Sequence, residues 1–185
     1  MFSPSDAATL SVPSGSYPTI AAALAAARNG DRVLLAPGTY AGGDNVNLSF
    51  AGKAITVESS SGAEMTTIDC GGSGRGFSFV SGEGNDSVLR GITIVNGFSA
   101  NHGGGILCVN STPTIENVAI TGCAAWSGGG LAVHGGNPQF ARCTIAGNRG
   151  GVKWRRSERC GVWSGVPPQQ RRLGELRGRR PRPSK

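Results

Sequence analysis

The chain has 185 residues, room for about one domain, and carries 31 glycines, five cysteines and a formal net charge of +7. That charge is unevenly placed: residues 1–151 hold seven Lys and Arg against nine Asp and Glu, whereas residues 152–185 hold eleven against two. The basic balance therefore describes no single surface and gives no ground for a nucleic-acid-binding body. No apolar run approaches the roughly 18 residues of a membrane span, and residues 1–16 lack the charged stretch and apolar run of a secretory signal.

In chain order, residues 1–16 are a lead-in in which Thr9-Leu10-Ser11-Val12 alternates and predicts a short strand. Residues 17–30 predict a capping helix. Pro18 or Thr19 suits its start, an Ala-rich run follows, and Gly30 suits its stop. Ile20, Leu24 and Ala27 give it one apolar stripe. Residues 32–36 then read as a compact strand, with Pro37-Gly38-Thr39-Tyr40 as the turn that ends it. Further short strands are expected at 46–50, 54–58, 66–69 and 77–80, between corners rich in Gly, Ser and Asn. No helical period interrupts them, so the pattern is all-β and not alternating βαβ.

From residue 88 the chain repeats itself. Gly103-Gly104-Gly105-Ile106 returns 25 residues later as Gly128-Gly129-Gly130-Leu131, and Pro113 returns as Pro138. Three apolar columns recur at steps of 26 and 25: Leu89, Ile115 and Phe140; Ile92, Val118 and Cys143; Ile94, Ile120 and Ile145. Such a period marks a solenoid whose coils bury their apolar faces only by stacking. Residues 31–151 have length for about five coils, or ~24 Å at ~4.8 Å per coil. The glycine runs suit corners, and the prolines suit strand edges. Cys70, Cys108, Cys123, Cys143 and Cys160 form no CxxC pair and are odd in number. They read as small core hydrophobes, not as zinc ligands or a disulfide framework.

A further coil starts at Gly150-Gly151-Val152, and there the pattern stops. Residues 152–185 are basic and of low complexity, with Pro167-Pro168 and an Arg-rich end, and predict a disordered tail. The abrupt change predicts a truncated array, interrupted by a frameshift, a premature stop or a misplaced gene end. A last coil without a cap is expected to self-associate through its open edge.

Several of these segments resemble the right-handed parallel β-helix, or pectin-lyase-like, superfamily. They are the run from Tyr17 to Tyr40, Thr67-Ile68-Asp69-Cys70 with Gly74-Arg75-Gly76-Phe77, and Gly91-Ile92-Thr93-Ile94-Val95-Asn96-Gly97. The GGG coils are similar to the repeats of bacterial polymorphic outer-membrane proteins, with Asn148 at the repeat's later Asn and Cys123 at the equivalent place one coil earlier. The resemblance covers residues 9–152. It implies a right-handed single-stranded parallel β-helix and a secreted or cell-surface setting in the bacterial outer-membrane style.

Enzymes of that superfamily act on acidic polysaccharides through clustered carboxylates, sometimes calcium, and a basic residue. The acids here (Asp44, Glu58, Glu64, Asp69, Glu83, Asp86 and Glu116) show no coil-period ladder and no Asp-Asp pair. Asp69 and Arg90 are the candidate catalytic pair; the plainer reading makes Asp69 a corner acceptor and Arg90 a solvated charge. His102 aligns with Ser127 one coil on, and His134 with Val109 one coil back, so both read as isolated surface residues. The expected function is a non-catalytic β-helix segment, a scaffold or module binding a glycan or another surface protein, with no cofactor or metal. The alternative is a fragment of a polysaccharide-lyase-like enzyme, for which calcium would be the cofactor. A third reading is nucleic-acid binding by the tail, through its arginines with Trp154 and Trp163.

Overall fold

A computed structural model describes residues 7–151. It begins with strand β1 (Thr9–Val12) and helix α1 (Ile20–Ala26), and the coils follow. The first coil holds β2 (Arg32–Leu35), β3 (Gly38–Ala41), a 3-10 turn at Gly43–Asn45, and β4 (Leu48–Ser49). The second holds β5 (Thr56–Ser59), β6 (Thr66–Asp69) and β7 (Phe77–Phe79). The third holds β8 (Val88–Arg90), β9 (Thr93–Val95), β10 (Phe98–His102) and β11 (Ile106–Val109). The fourth holds β12 (Thr114–Glu116), β13 (Ala119–Thr121), β14 (Ala124–Ser127) and β15 (Leu131–His134). The fifth holds β16 (Gln139–Ala141), β17 (Thr144–Ala146) and β18 (Arg149–Gly151).

Each strand pairs in parallel with its counterpart one coil away. The result is four sheets: β1-β2-β5-β8-β12-β16, β3-β6-β9-β13-β17, β4-β7-β11-β15 and β10-β14-β18. The chain is a parallel β-solenoid of about five turns, the architecture its spacing predicts. Inward positions stack in register. One column runs Leu10, Val33, Val57, Leu89, Ile115, Phe140. A second runs Tyr40, Ile68, Ile94, Ile120, Ile145, and a third Leu48, Phe77, Ile106, Leu131. Leu89, Ile92, Ile94, Ile115, Val118 and Ile120 are buried, while Phe140, Cys143 and Ile145 of the fifth coil are partly buried against the same core. Phe50 lies edge-on to Phe77 and Phe79 within that core. Cys70, Cys108 and Cys123 are buried free thiols and Cys143 is half-buried; burial pushes the Cys70 and Cys108 thiols up to about 12.

Corners fall where the chain offers residues that tolerate φ > 0. Gly91, Asn117 and Arg142 occupy one corner of successive coils at φ 65°, 49° and 51°, and Asn96, Gly122 and Gly147 the next at 54°, 65° and 65°. Pro113 and Pro138 each sit immediately before a first-sheet strand, outside the ladder.

Two local expectations need correction. Pro37-Gly38-Thr39-Tyr40 is not only a turn: Gly38–Ala41 is the founding strand of the second sheet, because Tyr40 pairs with Ile68 and turns its ring inward. Helix α1 also stops short of Gly30. Thr19 caps it, its Oγ1 accepting the Ala22 N–H, but Ala27 is already extended. Lys53 from the first coil's end takes over, its Nζ donating to the Leu24 and Ala27 carbonyls at 2.5 and 3.1 Å. The orphaned carbonyls thus find a partner a coil away instead of a glycine cap. Among the described residues no helix is long and apolar enough to cross a membrane. The basic segment 152–185 lies outside the described residues.

Candidate functional site

Alternation along each strand that turns Val57 or Ile94 inward turns their neighbours outward. On the first sheet the outward column is Leu34, Glu58, Arg90, Glu116. Arg90 donates from Nε to Glu116 at 2.9 Å and from Nη1 to Glu58 at 3.3 Å, and Glu58 also pairs with Arg32. Opposite charges one strand spacing apart support the stack. Glu58 and Glu116 are therefore in step with the coils, contrary to the expectation of scattered acids. A search for like residues at one period misses them, because Arg90 stands between them.

Asp69 lies on the second sheet, in register with Val95. Its Oδ1 accepts the Asn96 Nδ2–H and the Gly71 N–H, each at 2.9 Å. These bonds hold its carboxyl below the usual carboxylate range, Asn96 first and Gly71 second. Asp69 and Arg90 thus stand on different sheets, each engaged by its own partners. Glu83 is buried at a corner, where it accepts N–H bonds from Gly52 and Ser81 and a hydroxyl bond from Ser111, linking three consecutive coils.

The second sheet's outer face carries a different column: Thr39, Thr67, Thr93, Ala119, Thr144. Thr39 and Thr144 are exposed and Thr67 and Thr93 half-buried; Thr93 Oγ1 donates to the Ala63 carbonyl at 2.6 Å. Four hydroxyls thus occupy five successive positions about one strand spacing (~4.8 Å) apart. Alignment of the GGG coils alone does not show this column, since three of its members precede them.

The fourth and third sheets meet at the glycine runs. A Cβ on Gly103 would lie 2.3 Å from the Ile106 carbonyl oxygen, and one on Gly128 2.4 Å from that of Leu131, so the chain doubles back here more sharply than any side chain allows. This turn carries the end of β10 toward the end of β15. The His102 and His134 rings meet edge to face at 4.5 Å, with the Trp126 ring 6.2 Å from His102. The two histidines are thus half-buried neighbours and not isolated surface residues; comparing positions one coil apart cannot reveal a contact between different strands. Arg75 fixes the corner from the coil below, donating to the His102 carbonyl at 2.7 Å, the Gly103 carbonyl at 2.5 Å and Ser99 Oγ at 3.0 Å. Gly103 N–H in turn donates to the Ser127 carbonyl at 3.1 Å. Trp126 is 75% exposed and Phe98, on the same sheet, 47%.

Among the described residues, no group of three or more His, Cys, Asp or Glu could hold a metal ion. The oxygen-rich set that calcium needs is not assembled around Asp69, whose near neighbours are an amide and a backbone N–H. No protein family, curated protein or solved structure was found to match the chain.

Proposed function

We propose that the chain is a non-catalytic segment of the right-handed, pectin-lyase-like β-helix type, from a secreted or cell-surface protein, and that its second-sheet outer face binds an extended glycan. The carrying observation is the column Thr39, Thr67, Thr93, Thr144, interrupted only by Ala119. A hydroxyl both donates and accepts, so a straight row of them suits a linear ligand that repeats the same two capacities. The row carries no charge, which favours a neutral polysaccharide over an acidic one. Asp69 and Asn96, bonded to each other, lie beside it at the corner and add further polar groups.

The engagement of the acids supports this reading over a lyase-like one. Glu58 and Glu116 are paired with arginines, and Glu83 is enclosed by three donors. A carboxylate already holding such partners is poorly placed to bind calcium or move a proton.

The test is retention of the full chain on a panel of immobilised neutral and acidic polysaccharides, compared with the Thr67→Val/Thr144→Val double variant. A hydrogen bond contributes about 0.5–1.5 kcal/mol net, so losing two should weaken binding about tenfold with melting unchanged. Unchanged retention of the double variant, or no retention of the parent chain on any neutral polysaccharide, would defeat the proposal.

A further inference from the structure

Buried polar side-chain atoms in proteins nearly always find a partner, and each one left without costs about 1–3 kcal/mol. Among the described residues three such atoms lack one: His102 Nδ1, His134 Nε2 and Ser127 Oγ. They are not dispersed. His102 and Ser127 are Cα partners across the β10–β14 pair, and the two imidazole rings lie 4.5 Å apart. Three unpartnered polar atoms thus gather at one corner of the solenoid, where a small guest could satisfy all of them.

Chemistry narrows the guest. A neutral imidazole carries its proton on one nitrogen and a lone pair on the other, and two such lone pairs at one place suit a transition metal ion, whereas calcium and magnesium prefer oxygen. Zinc–nitrogen bonds of ~2.0–2.1 Å place two ligating nitrogens about 3–4 Å apart. The two ring centroids lie 4.5 Å apart, close to that scale. The backbone around them is held: the His102 carbonyl by Arg75, and the His134 carbonyl by the Asn110 N–H at 3.0 Å. We infer that the His102–His134 corner binds one divalent transition metal ion of the zinc, nickel or copper class, through His102 Nδ1 and His134 Nε2, with Ser127 Oγ bonded to the ion or to a water on it. Two protein nitrogens leave coordination positions to water, so the site is open and exchangeable and not a structural zinc knot.

The chain has only two histidines, which makes the test clean. Zinc chloride and nickel chloride are titrated into the full chain at neutral pH by calorimetry, with calcium chloride as the comparison. Imidazole nitrogen resonances are followed in parallel on the unaltered chain. The expected result is saturable one-to-one uptake of zinc and nickel, no uptake of calcium, and shifts at His102 Nδ1 and His134 Nε2. Both His102→Ala and His134→Ala should weaken uptake tenfold or more. Absence of saturable uptake would overturn the inference and leave the corner to a trapped water. Uptake retained in both variants, with unmoved imidazole resonances, would overturn it in favour of a thiol such as Cys160. The resonance measurement decides the matter even if a variant fails to fold.

Discussion

At the scale of single residues, the glycines of the runs differ in what they provide. Gly103 and Gly128 supply φ of 61° and 65°, but Gly105 supplies space. A Cβ on Gly105 would lie 2.5 Å from the Gly130 carbonyl oxygen and 2.5 Å from Ile120 Cγ2, while its own carbonyl accepts the Phe77 N–H at 3.1 Å. Gly105→Ala should therefore cost about 1–3 kcal/mol, the usual penalty of overpacking, read as a lowered urea midpoint with unchanged slope. A midpoint equal to that of the parent chain would mean the coils do not approach so closely. The sequence shows the glycine run as a repeat; only the stacked coils show which glycine turns the chain and which makes room. The histidines illustrate the same limit, because their contact joins a strand of one sheet to a strand of another and no linear period encodes it.

At the scale of elements, one carboxylate joins both parts of the N-terminal cap to the first coil. Asp31 accepts the Ala8 N–H leading into β1 and the Arg28 N–H just past α1, both at 2.8 Å. These bonds, Arg28 first and Ala8 second, with a smaller attraction to the Arg28 charge, lower its carboxyl below the ordinary value. A carboxyl lowered by folding binds its proton more readily when unfolded, so stability rises with pH across the interval between the two values. The contribution is present above the unfolded value of about 3.9 and is lost as pH falls through the folded one. Asp69 acts in the same direction. In Asp31→Asn the loss of denaturation midpoint from neutral to acid pH should be smaller than in the parent chain; an equal loss would show that Asp31 does not couple the cap to the coils. Much of this element was legible beforehand: Ile20, Leu24 and Ala27 do form the buried stripe. Its end was not, since Gly30 signals a stop and the carbonyls are met by Lys53, a residue distant in sequence.

At the scale of the whole molecule, stacking makes residues one coil apart in sequence neighbours in space. The apolar columns were legible because the inward strand positions are apolar and a parallel ladder repeats every coil. The outer columns were less so, because outward positions tolerate several chemistries. Glu58, Arg90 and Glu116 form a column of alternating charge, and the threonine column is broken by Ala119. Both proposals inherit this geometry, since the hydroxyl row and the histidine corner exist only if the coils are in register.

The most direct test is a methyl nuclear Overhauser map of the full chain with labelled isoleucines. Register pairs Ile68 with Ile94, Ile94 with Ile120 and Ile120 with Ile145, each about one strand spacing of ~4.8 Å apart in the backbone. The account predicts cross-peaks for those three pairs and none between Ile68 and Ile120 or Ile94 and Ile145, two coils apart. Cross-peaks confined to residues near in sequence, or equally strong between second neighbours, would contradict the solenoid and everything drawn from it.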